Sequence, residues 1–171
     1  MKDTTEDADA CIADLGTAIK LKSHHDKVSM FIGSPGYMAP EILLGETYSL
    51  PVDIWGLGCI LYFLLTSSLP FPNDDWAKLK NSTCYETLDL SKNPELSLES
   101  KDLLSSLLSK NPSYRPTIKQ VLNNVWLQKL NAPKWEQGYG FDLLSIMMIL
   151  IGFHYNQHTS YDAELTLSTN L

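Results

Sequence analysis

A mostly α-helical domain with very little strand is the fold class this sequence predicts, and three observations predict it. Apolar residues recur at i, i+3, i+4 spacing in three separate stretches. Helix-start signals, Ser-x-Pro at 49–51 and Thr117 with Gln120 three residues on, stand where two of those stretches begin. The one short run suited to a strand is ACIA at 10–13.

In chain order, residues 1–10 read as a polar lead-in. Residues 14–38 hold Gly16, Gly33, Pro35 and Gly36 without sustained periodicity. A loop that long is commonly functional. Ser49 and Pro51 then open a helix over 52–65, with Ile54, Leu57, Leu61, Leu64 and Leu65 in phase. Nearly every face of it is apolar, which predicts burial all round. The string SSLPFPND (67–74) ends it with two prolines. A weaker helical stretch follows at 75–82. A second helix is expected within 96–112, with Leu103, Leu104, Leu107 and Leu108 on one face and Pro112 as its stop. Thr117 and Gln120 form a capping box, in which each side chain satisfies a free backbone N–H. The helix it opens carries Ile118, Val121, Leu122, Val125 and Trp126 as its apolar face. Residues 131–140 read as a linker, and 141–153 as a last short apolar helix before a polar end.

Composition excludes several functions. The 171 residues carry 13 basic and 20 acidic groups, a formal net charge of −7. The first 47 residues hold four basic and eight acidic groups. With no basic patch, neither a nucleic-acid backbone nor an anionic membrane is an expected partner. Cys11, Cys59 and Cys84 are odd in number and far apart, so a disulfide framework is not expected and a reduced, cytoplasmic compartment is. The acidic N-terminus is unlike a secretory signal. The apolar runs at 52–65 and 143–153 are too short to span a bilayer. His154 and His158 share a helix face, and His24 and His25 are neighbours, but neither pair comes with the further ligands a metal site needs.

Four strings carry the specific signal: IADLG (12–16), GSPGYMAPE (33–41), DIWGLG (53–58) and NPSYRPT (111–117). In this order and spacing they resemble the second half of a eukaryotic-type protein kinase domain, over about residues 8–130. The phrase GSPGYMAPE resembles Ser/Thr rather than tyrosine kinases, and the whole is most similar to calcium/calmodulin-kinase-like members. The resemblance implies a mainly α, kinase-like C-lobe: a helical bundle with a short β-hairpin remnant and an activation segment. It divides the chain into a lead-in at 1–10, a partial kinase domain at 11–130 and a C-terminal extension at 131–171. Within the domain, 14–41 is the activation segment and 42–130 the helical lobe.

The resemblance also implies residue roles. Asp14 matches the Mg²⁺-binding Asp of the DFG motif, next to Gly16 at the cofactor, with Leu15 in place of the usual Phe. A carboxylate suits that hard cation. Without the other three strings, Asp14 reads better as a loop residue turning the chain beside Gly16. Ser34 matches the hydroxyl residue facing the catalytic Asp, and Gly36 and Tyr37 fall where a protein substrate would dock. Ser23, Ser29 and Ser34 are candidate phosphorylation sites, since phosphate on such a loop can order it; ordinary solvated serines are the plainer account. Glu41 and Arg115 match an ion pair tying the activation segment to the helical lobe, a role suited to the guanidinium fork. Asp53 matches a buried carboxylate bracing the catalytic loop, and Trp55 a ring packed against the 39–41 turn.

Much of a kinase is not in these residues. No glycine-rich loop, no strand lysine of the VAIK type and no HRD catalytic loop is present, so the base Asp is missing. The family uses ATP and Mg²⁺; this chain alone is expected to bind neither well and to be catalytically inactive. A fragment of a longer Ser/Thr kinase, with Met1 an internal methionine, is the leading expectation. The alternative is a non-catalytic, pseudokinase-type module that binds a protein partner. The string MMILIGF (147–153) faintly resembles the first helix of a ubiquitin-associated-like domain, but a short apolar helix that simply packs on the lobe is the plainer and preferred account.

Overall fold

The structure is a computed structural model, and it describes residues 15–23 and 25–130. The expected strand at 10–13, Asp14, His24, the linker, the 141–153 helix and the His154/His158 pair lie outside the described residues.

Among the described residues six α-helices follow one another: α1 Pro40–Leu43, α2 Pro51–Thr66, α3 Trp76–Tyr85, α4 Leu98–Leu107, α5 Ile118–Leu122 and α6 Val125–Leu130. Short 3₁₀ turns lie at Leu15–Thr17, Leu90–Lys92 and Pro112–Tyr114. The extended pairing among the described residues is one antiparallel bridge, Val28 with Tyr48, closed by two N–H···O bonds of 2.8 and 2.9 Å.

α2 is the axis of the fold, packing against α4 and the Pro112–Tyr114 turn. Pro51 opens it, its fixed φ and missing N–H both suiting the first helical turn. Ser49 does not cap it; Leu50 holds the cap position without a side-chain bond, and the Ser49 hydroxyl is buried without a partner. Ser67 ends it in the left-handed region at φ 57°, its N–H donating to the Phe63 carbonyl at 2.7 Å. α2 is not buried all round. Trp55, Leu57, Cys59 and Leu61 face the core, while Phe63 and Leu64 are 44% and 38% exposed.

Asp75 caps α3 by accepting from Lys78 N–H at 2.9 Å, and the helix runs three residues beyond the expected stretch, to Tyr85. Ser97 caps α4. α4 is shorter than expected because Asn111 opens a separate turn, its carboxamide oxygen accepting from Ser113 N–H at 3.0 Å. The Thr117–Gln120 capping box is present with both reciprocal bonds. The helix it opens breaks after Leu122, however. The Asn123 side chain bonds back to the Lys119 carbonyl, and Asn124 accepts from Trp126 N–H to start α6. That break turns Val125 outward, 59% exposed, instead of onto the expected apolar face.

The core joins Trp55, Leu61, Leu104, Leu107 and Val121, all fully buried, to Met38, Ile42 and Leu43 at the start of the lobe. Gly58 lets α2 approach α4: a Cβ there would lie 2.9 Å from Leu107 Cβ and Leu108 Cδ2.

Candidate functional site: the anchored activation segment

The segment before α1 takes its shape from glycine and proline. Ser34-Pro35-Gly36-Tyr37 is a reverse turn closed by Tyr37 N–H to the Ser34 carbonyl at 3.1 Å. Proline at the second position and glycine at the third, with φ +86°, are the type II pattern. Gly36 is needed twice over, because a Cβ would also sit 2.8 Å from Leu69 Cδ1 in the loop after α2. The turn is thereby seated on that loop through the buried Gly36, with Ser34, Pro35 and Tyr37 exposed.

The far end of the segment is fixed by charge. Glu41 lies in the first turn of α1, where a carboxylate suits the helix dipole. Arg115 approaches it across 74 residues of sequence, with Nη1 to Oε1 at 2.7 Å and Nη2 to Oε2 at 2.8 Å. Both side chains are buried. The remaining donors reach carbonyls: Nη1 to Pro51 at 3.0 Å, Nη2 to Lys110 at 3.3 Å and Nε to Ser109 at 2.9 Å. All five guanidinium N–H groups are therefore used, the condition under which a buried charge is tolerated. The Arg115 guanidinium also lies 5.1 Å over the Trp55 ring, so Trp55 and Glu41 share Arg115 as neighbour.

Asp53 departs from expectation. It is exposed in the first turn of α2, so the cost of a buried carboxylate does not arise there. Its charge is felt by Tyr48, whose hydroxyl is raised above its ordinary pKa by burial first and by Asp53 second. Gly16 is exposed in the Leu15–Thr17 turn, and Leu15 is 56% exposed. Ser23 and Ser29 are both exposed. Ser23 belongs to a local turn in which Asp26 accepts from Lys22 and Ser23 N–H, and its own hydroxyl accepts from His25 N–H at 3.2 Å.

Two features escaped sequence reading. Lys110 donates to the Ser82 and Thr83 carbonyls at 3.3 and 2.6 Å, in the last turn of α3. Its ammonium lies 3.5 Å over the Phe71 ring, and Phe71 stacks on Trp55 at 6.0 Å. Burial pulls this lysine down to about 8. The second feature is an edge-to-face pair, Phe31 of the segment with Trp76 at the start of α3, 6.0 Å between centroids and both partly exposed. Neither had a sequence signal beyond a lysine after a helix and an aromatic after a capping Asp.

Of the residues that would hold Mg²⁺ and ATP, only Gly16 falls among the described residues. No cluster of His, Cys, Asp or Glu suited to a metal occurs among them. No described helix is long and apolar enough to cross a membrane.

Comparison with known proteins agrees with this geometry. The family described as the protein kinase domain matches residues 3–127. The chain is 33% identical over 143 residues to serine/threonine-protein kinase PLK4 of Drosophila grimshawi, covering 78% of this chain and 18% of that protein. It is 34% identical over 125 residues to PLK4 of Drosophila virilis, 73% and 16%, and 34% over 130 residues to PLK4 of Nematostella vectensis, 75% and 13%. The chain thus spans less than a fifth of the length of these curated relatives. They carry the PLK4 name, and the calcium/calmodulin-kinase likeness is not represented among the three. The mainly helical lobe, the buried Glu41–Arg115 pair and the matched family together place this chain in the eukaryotic-type Ser/Thr protein kinase domain family, with the fold of its C-lobe.

Proposed function

We propose that the chain supplies the substrate-side lobe of an ATP- and Mg²⁺-dependent protein Ser/Thr kinase. By itself it transfers no phosphate. The observation that carries the reading is the Glu41–Arg115 pair, which clamps the end of the activation segment while the Ser34–Tyr37 turn stays outside. A rigid anchor beside an accessible turn suits a surface that must present a protein substrate in fixed geometry. Ser34 and Tyr37 would flank that substrate, and Ser23 and Ser29 are accessible for regulatory phosphorylation. Asp14 would carry the metal once the phosphate-binding half is present.

The test is complementation. The 171-residue chain is assayed with ATP, Mg²⁺ and a generic protein substrate, alone and with a polypeptide carrying a glycine-rich loop, strand lysine and HRD loop. Phosphate transfer is expected only in the mixture, and Asp14→Asn is expected to abolish it. Turnover by the chain alone would refute its predicted inactivity. A tight complex without turnover would favour the pseudokinase-type binding module instead, the reading favoured by Leu15 in the metal-binding motif.

A further inference from the structure

A surface lysine lays its stem along the protein and keeps its ammonium in water. Lys110 does the reverse. Its Nζ turns inward to the Thr83 and Ser82 carbonyls at 2.6 and 3.3 Å, in the last turn of α3, where a cation also suits the helix dipole. The ammonium lies 3.5 Å over the Phe71 ring. Taking a charge out of water is costly, so the fold holds this contact against a penalty. The backbone beside it is held from another side. Arg115 donates from Nε to the Ser109 carbonyl and from Nη2 to the Lys110 carbonyl, at 2.9 and 3.3 Å.

Followed in order, these contacts close into a ring. Glu41 binds Arg115, Arg115 binds the Lys110 carbonyl, and the Lys110 ammonium binds the Thr83 carbonyl. The next residue, Cys84, donates its Sγ–H to the Pro40 carbonyl at 3.8 Å, and Pro40 precedes Glu41 in the chain. The stacked Trp55 and Phe71 rings brace the ring of contacts, with Lys110 over Phe71 and Arg115 over Trp55. Met38 and Ala39, both buried, join α1 to the Ser34–Tyr37 turn. We propose that Lys110 is a positioning residue for that turn, holding it in place by tying the end of α3 to the Glu41–Arg115 anchor. It acts through Arg115 and α3, not by contact with a substrate. The inference rests on the substrate-side reading of the turn given above.

Amide exchange in the 171-residue chain tests the coupling without any phosphate transfer. Lys110→Met is expected to quicken exchange about fivefold at Tyr37 N–H and Leu44 N–H as well as at Glu86 N–H, with α2 and α4 amides unchanged. Lys110→Arg, which keeps the charge and the donors, is expected to restore all three. Quickening confined to Glu86 would make Lys110 a staple of α3 alone and overturn the proposal. Quickening that extends to α2 and α4, or loss of the fold, would make it a stability residue and overturn it too. In the complementation assay, Lys110→Met is expected to raise KM for the protein substrate about fivefold with kcat within about twofold, and Lys110→Arg to match the unsubstituted chain. An unchanged KM, or a fall in kcat of the same size, would overturn the proposal. Failure of the unsubstituted mixture to turn over would instead refute the kinase-lobe reading, and the exchange result would still decide whether Lys110 couples α3 to the turn.

Discussion

Arg115 is the only arginine in the chain, and its five donors meet five acceptors from three separate segments. A lysine offers a point charge and cannot reproduce that fork. Removing one partner of a buried pair leaves the other charge uncompensated, which costs about 3–5 kcal/mol. Arg115→Met is therefore expected to lower the unfolding free energy by that amount, read as a fall in the urea midpoint at unchanged m. Glu41→Leu with Arg115→Met should cost clearly less than the two singles combined, because it leaves no orphan charge. A single-variant loss below about 1 kcal/mol would show that the pair does not anchor the segment. At Cys59 the residue scale works by exclusion. Burial pushes that thiol up to about 12, so it is expected to resist alkylation until the chain unfolds.

At the scale of elements, close approach decides what each glycine does. Gly58 lies where α2 meets α4, and the atoms a Cβ would strike include the stem of Leu107, which cannot swing aside. Gly58→Val is expected to destabilise by about 1–3 kcal/mol, read by denaturant unfolding. Wild-type stability in that variant would mean that the two helices can slide apart. Gly36 combines a left-handed φ with contact to Leu69, so Gly36→Ala should strain the turn by about 1–3 kcal/mol. Faster proteolytic nicking at 34–37, with α2 and α4 still protected, is the expected signature. The Asn123–Asn124 break works by competition. Short polar side chains bond the backbone locally, and one predicted helix becomes two.

Across the whole molecule, the buried polar groups around Trp55 make stability depend on alkaline pH. Lys110 sits at about 8 folded against 10.5 in an ordinary environment, so between those values the unfolded chain binds more protons. Stability from this group therefore rises with pH across that window. Cys59 runs the other way: raised from 9.0 to about 12, it holds its proton longer when folded and loses stability above pH 9. The wild-type chain should gain on Lys110→Met as pH rises from 8 to 10.5, measured by urea unfolding at each pH. A difference that stays flat would mean that Lys110 is fully solvated. The lobe's helices pack as one core, and α6 is tied to α4 by the Lys129–Glu99 pair.

Local rules legible in one dimension determined most of the elements by themselves. Apolar periodicity gave α2 and α4, the capping box gave the start of α5, and four short strings pointed to the kinase family. The pairing of Glu41 with Arg115 was legible only through that resemblance, since nothing local joins residues 74 apart. Tertiary structure alone decided which faces meet. It placed Lys110 on the end of α3 and over Phe71, and set Phe31 beside Trp76. It also set Asp53 at an exposed position and opened one side of a helix whose composition reads as buried all round. The reason is physical: periodicity reports what a helix can bury, and only the neighbours that pack against it determine what it does bury.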